Sequence, residues 1–139
     1  MRGWFARIGQ AVTSALEAQT RRLLEGNAYE AAVISAARAL EVGLREALAR
    51  APAGAAPGGT VQPESGDRLS RLIEIAASRG LVQETDVSEV RDLQRLRNVL
   101  VHSAETPDDA RARPLVEKAL ELIERLKAPP PAKPRRARS

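Results

Sequence analysis

Arg97 and His102 stand at the two ends of the segment Arg97-Asn98-Val99-Leu100-Val101-His102, and His102 is the chain's one histidine. Arginine is a permanent cation whose forked donors match planar anions, and histidine gains or loses a proton near neutral pH. Function-specific chemistry in this chain hangs on that pair. Counted at about 100° per residue from Val87, Val90, Leu93, Leu96 and Leu100 fall between about 180° and 300° around a helix. Arg97 lands at about 280°, inside that apolar arc, whereas Asn98 and His102 lie near about 20° and 60°. A cation leaving an apolar arc is costly unless it finds a partner, a cleft or a second subunit. One ideal helix does not bring the three side chains together. Either the arginine sweeps around the helix end, or the equivalent helix of a symmetry mate completes the group. The structural alternatives are equally concrete: His102 caps the last carbonyls of its helix, and Arg97 pairs with Glu41 or another buried acid.

The elements that must position these residues are legible from periodicity. Residues 4–24 carry Trp4, Ile8, Ala11, Ala15, Leu23 and Leu24, an amphipathic helix ending at Gly26-Asn27 with Gly26 as its C-cap. A second helix runs from about Ala28 to Arg50, with Tyr29, Val33, Ala36, Leu40, Leu44 and Ala47 on one face. Arg38, Glu41 and Arg45 on that helix read as a salt-bridged edge. Residues 51–66 (APAGAAPGGTVQPESG) hold three prolines and four glycines, which predicts a mobile loop. A third helix spans Asp67 to Arg79 and closes at Gly80. Asp86-Val87-Ser88-Glu89 has the spacing of a capping box and starts a fourth helix that reaches Val101 or His102. Thr106 as N-cap and Pro107 at the first helical position open the last element. Pro114 then requires either a short turn before a new helix from Pro114 to Lys127, or one kinked helix. Residues 128–139 (APPPAKPRRARS) bury almost nothing and predict a disordered basic tail.

At 139 residues the chain has the size of one domain, placed at residues 1–127. A composition rich in Ala, Leu, Arg and Glu, with one Trp, one Tyr and one Phe, suits helices and starves a sheet. The absence of cysteine excludes disulfides and thiolate metal sites and fits a reducing cytoplasm. The net charge of +4 equals the four cations Lys133, Arg135, Arg136 and Arg138, so the remaining 18 basic and 18 acidic residues cancel. The charge thus belongs to a tail, not to a nucleic-acid-binding surface of the domain. No apolar run of ~18 residues exists, and Arg7 and Gln10 interrupt the N-terminal stretch, so a cytoplasmic protein without membrane contact is expected. There is no glycine-rich phosphate loop, no second histidine and no nucleophile elbow, so neither a cofactor nor a metal is expected.

The Arg97-Asn98…His102 spacing, preceded by a helix reading Tyr29-Glu30-Ala31-Ala32-Val33 through Ala39-Leu40-Glu41, resembles the HEPN superfamily of small helical domains, over roughly residues 20–127. The resemblance implies an all-α, up-and-down bundle of four to five helices that pairs as a homodimer with a composite cleft. It implies metal-independent endoribonuclease chemistry, in which the 2′-hydroxyl of RNA attacks the adjacent phosphate. Within it His102 transfers protons, Arg97 holds the phosphate, and Asn98 orients the imidazole or a phosphate oxygen. Arg38 and Glu41 are supporting candidates, because the resemblance sets their helix beside the motif helix. Many HEPN domains keep the fold without catalysis, and the alternative is a binding or dimerisation module for a protein partner or nucleotide. The motif continues as His102-Ser103-Ala104 where the toxin branch paired with a nucleotidyltransferase antitoxin has His-x-Tyr. Modification by such an antitoxin is therefore not expected; a defence, toxin-antitoxin or RNA-stress role with another antitoxin or protein partner stays open.

Overall fold

The structure, a computed structural model, describes residues 2–50, 68–103 and 107–127, with side chains from residue 11 onward. The expected loop at 51–66, the tail at 128–139 and the expected cap Thr106 lie outside the described residues. Five helices follow one another: α1 Arg2–Glu25, α2 Tyr29–Arg50, α3 Leu69–Ser78, α4 Glu84–His102 and α5 Asp109–Lys127. No strand occurs among the described residues, and the architecture is the expected all-α bundle.

Helix α2 is the hub, packing against each of the other four. Its Ala32, Val33, Ala36, Leu40, Leu44, Ala47 and Leu48 are all buried. Alanine and glycine on this helix let α1 approach closely, and a Cβ added at Gly43 would sit 3.6 Å from the Thr13 methyl. Nearer the α1–α2 turn, Thr20 donates its hydroxyl proton to the Leu16 carbonyl at 2.7 Å. That leaves Ser35 as the donor of the buried 2.6 Å bond between the Ser35 and Thr20 hydroxyls. The two pairings, Thr13 with Gly43 and Thr20 with Ser35, run in opposite chain order, so α1 and α2 are antiparallel. By the same test, Asp86 with Arg125 and Glu89 with Lys118 make α4 and α5 antiparallel.

Helix ends differ from the sequence expectation in three places, each for a local reason. Beyond α1 the left-handed residue is Asn27 (φ 61°), not Gly26. The Ala28 amide bonds the Leu23 carbonyl and the Asn27 amide the Leu24 carbonyl, a Schellman closure that places the strain one residue later. At α4 the capping box is Gln83 with Asp86, not Asp86 with Glu89: the Gln83 amide donates to Asp86 Oδ2 at 2.9 Å and Glu84 is the first helical residue. At α5 the Asp108 carboxylate accepts the Arg111 amide at 2.9 Å. Asp109–Lys127 is then one helix with Pro114 inside it. Pro114 deletes the bond to the Ala110 carbonyl, and Ala110 is exposed, so its carbonyl is open to solvent that can replace the lost donor.

Asp86 does more than cap. It is buried, and Arg125 crosses from α5 to grip both of its oxygens, at 2.6 Å and 3.3 Å. Burial pushes its carboxyl up, but the hydrogen bonds from Arg125 and the Gln83 amide outweigh that and hold it below the usual carboxylate value. This pair ties the start of α4, the helix that carries Arg97, Asn98 and His102, to α5.

Candidate functional site

Leu93, Leu96 and Leu100 are buried and fix which side of α4 faces inward. Arg97 emerges at the edge of that face, half-buried, and Asn98 follows on the open side. Both line a cleft of about 460 Å³ between α2, α3 and α4. Arg38 and Glu41 enter it from α2, Arg68 from the residue preceding α3, and Gln94 from α4, with Ile34, Ala37 and Leu69 as an apolar strip. The sequence-derived residues Arg97, Asn98, Arg38 and Glu41 therefore share one cleft.

The charges in this cleft are uncommitted. Among the described residues, Arg38, Arg68, Arg97 and Asn98 form no side-chain hydrogen bond or ion pair. Glu41 reaches toward Arg45 on its own helix at 3.9 Å and does not pair with Arg97. A contact that long between partly exposed groups is worth little. Three guanidinium groups face one carboxylate, a local excess of positive charge that the near-neutral balance of the whole domain conceals.

His102 stands apart. It is the last residue of α4, one turn beyond Asn98, exposed, and not among the residues that line the cleft. Among the described residues its imidazole has no hydrogen-bond partner, so it does not cap the helix carbonyls either. Val99 and Val101, on either side of Leu100, are 39% and 57% exposed, which leaves this end of α4 with an apolar surface next to the histidine.

Arg68 was not legible as a site residue. It precedes the apolar run of α3 and looks like an ordinary solvated charge; only the packing of α3 against α4 brings it into the same cleft as Arg97. Arg91 of α4 bonds Glu74 of α3 at 3.1 Å while Leu69 lines the same cleft as Gln94, Arg97 and Asn98, so these helices are antiparallel and the start of α3 falls toward the end of α4.

Elsewhere, charged clusters are satisfied internally. A groove of about 530 Å³ contains Arg21 and Arg125, but these are bound to Glu17 and Asp86, and Glu117, Glu121 and Glu124 dominate its wall. Glu17 is buried beneath Arg21 and Lys127, which reaches it at 2.7 Å. Tyr29 donates to Asp109 at 2.6 Å, and Arg113 meets the same carboxylate at 2.7 Å while lying 5.9 Å over the Tyr29 ring. The Asp109 hydrogen bond pushes the Tyr29 hydroxyl above its ordinary value, and the Tyr29 and Arg113 bonds hold Asp109 low. That cluster pins the start of α2 to the start of α5.

Among the described residues no three His, Asp or Glu side chains gather as metal ligands. No described helix is long and apolar enough to cross a membrane. No protein-family model, curated protein or solved structure matches the chain.

Proposed function

We propose that the chain is a metal-independent endoribonuclease of the HEPN type, acting as a homodimer with Arg97, Asn98 and His102 at its centre. One observation supports this reading above others: Arg97 is held half-buried and uncommitted in a cation-rich cleft beside Asn98, one helical turn from the chain's only histidine. In the reaction the RNA 2′-hydroxyl gives its proton to His102 and its oxygen bonds to phosphorus. The P–O5′ bond breaks, and the 5′ oxygen takes a proton from an imidazolium, leaving a 2′,3′-cyclic phosphate and a 5′-hydroxyl. Arg97 stabilises the charge that builds on the phosphate oxygens. Because His102 lies outside the cleft of its own subunit, the histidine that serves a given cleft is supplied by a second copy, through the exposed end of α4 with Val99 and Val101. The resemblance to HEPN domains extends the proposal to a role in defence, toxin-antitoxin function or RNA stress.

The test is incubation of purified protein with total RNA in the presence of a chelator, beside a folded His102→Ala variant. Cleavage by the wild type alone, with cyclic phosphate ends, is the expected result. Cleavage by both proteins, or by neither across structured and unstructured RNA, overturns it.

A second reading draws on the position of His102 outside the cleft and without a hydrogen bond to fix its ring. On that reading the cleft binds a nucleotide or protein partner through Arg97, and the end of α4 that carries His102 serves packing. His102→Ala then leaves every functional readout unchanged, while Arg97→Ala abolishes binding.

A further inference from the structure

We infer that Arg38 and Arg68 form, with Arg97, a clamp for the phosphate of a nucleotide, a binding site separable from the bond-breaking step. The three guanidinium groups come from three different elements and converge on one cleft, with no partner among the described residues. Arg21, Arg45, Arg50, Arg91, Arg95, Arg113 and Arg125 each lie within 3.9 Å of a carboxylate, as ordinary structural cations do. Arg22, Arg71 and Arg111 also lack a carboxylate partner, but each is exposed and lies outside the cleft. Arg38, Arg68 and Arg97 differ in lining one concave site together, which suits an anion. Guanidinium forks match phosphate oxygens two at a time.

The rest of the lining narrows the ligand. Ile34, Ala37 and Leu69 offer an apolar strip beside the cations, and Gln94 and Asn98 offer amides. A bare inorganic anion has no use for the strip; a phosphate joined to a base or sugar fills both halves. A volume of about 460 Å³ is within the ordinary range for a ligand of that size. The shared chemistry is a nucleotide phosphate; that its source is an RNA strand rests on the ribonuclease reading above, whereas the clamp does not.

The experiment uses the full-length chain carrying His102→Ala, so that bound RNA stays intact, and a short fluorescein-labelled oligouridylate read by anisotropy over a range of salt. Arg38→Ala and Arg68→Ala should each weaken binding about five- to tenfold. Each should also flatten the slope of log affinity against log salt by roughly 0.7. Arg111→Ala, an exposed change on α5 outside the cleft, controls for loss of general charge, and circular dichroism confirms that each variant is folded. Uridine monophosphate should displace the probe and orthophosphate at equal ionic strength should not. Displacement by the mononucleotide at concentrations below those of the oligomer would assign the site to free nucleotides instead of RNA, and overturn the RNA source while keeping the clamp. Unchanged affinity and slope in both arginine variants, or equal displacement by orthophosphate, would overturn the clamp. The two readings fail separately: a wild type that cleaves nothing while its His102→Ala form binds through Arg68 loses the ribonuclease and keeps the clamp. A protein that cleaves RNA with Arg38 and Arg68 dispensable does the reverse.

Discussion

Arg97 turns into a cleft between α2, α3 and α4, while His102, on the same helix, ends exposed and unpartnered outside it. The two residues most suited to chemistry thus have opposite structural standing, and that difference can be measured. His102 is exposed and makes no side-chain hydrogen bond or ion pair among the described residues, so His102→Ala should change unfolding free energy by less than ~0.5 kcal/mol, while abolishing RNA cleavage. Urea unfolding followed by circular dichroism, paired with a cleavage assay, checks this. A loss of stability beyond ~1 kcal/mol would make His102 a structural residue.

If the histidine of one copy serves the cleft of another, two inactive variants should rescue each other. Mixing Arg97→Ala and His102→Ala subunits after exchange should restore up to roughly a quarter of wild-type cleavage, since half the dimers are mixed and each has one intact pairing. The rescue should depend on protein concentration as the dimer forms. Absence of any rescue in a mixture shown by mass spectrometry to contain mixed dimers would confine the chemistry to single subunits.

Asp86 predicts a pH dependence of stability. Burial pushes its carboxyl up, yet the bonds from Arg125 and the Gln83 amide win and lower it, so the folded protein resists protonating it more than the unfolded chain does. Its contribution is therefore complete above the ordinary value of about 3.8 and is lost as pH falls through the lower folded value. Asp86→Asn should cost about 1–2 kcal/mol at pH 7, a figure kept small because Arg125 is half exposed, and should flatten the acid limb of stability. Urea midpoints at pH 7 and pH 3 decide it; an acid limb as steep as in the wild type would remove Asp86 from the account.

Gly43 lies inside α2, where glycine weakens a helix by roughly 0.5–1 kcal/mol relative to alanine. The added methyl would meet Thr13 at 3.6 Å, an ordinary van der Waals distance. Gly43→Ala should therefore raise the thermal midpoint. Gly43→Leu should lower it, with a loss of about 1–3 kcal/mol in stability from overpacking, because α1 cannot move away without breaking the Thr20–Ser35 bond. An alanine variant less stable than the wild type would mean that α1 is packed against α2 more tightly than this distance allows.

Much of the fold was legible because helix periodicity is a short-range property. The apolar stripe Val33, Ala36, Leu40, Leu44 and Ala47 marked α2 and is buried as expected. The ends were harder. Asp86-x-x-Glu89 and Gln83-x-x-Asp86 are both local capping patterns, and the choice fell to the latter because Arg125 from α5 holds Asp86 buried at the first turn. Pro114 left two readings, a short turn before a new helix or one kinked helix, and α5 is one helix because an exposed proline early in a helix loses one bond that water can replace.

The sequence by itself determined the helices and the rotation of α4: leucines at 93, 96 and 100 turn inward, which puts Arg97 at the margin of the core and His102 on the open side. That follows from about 3.6 residues per turn and needs no knowledge of any neighbour. Only the tertiary structure decided what Arg97 faces. Glu41, its nearest imaginable partner, turns toward Arg45, and Arg68 arrives from a segment that nothing local connects to α4. Contacts between helices depend on the register in which their side chains interlock, and that register is a property of the whole packed core, not of any one stretch of chain.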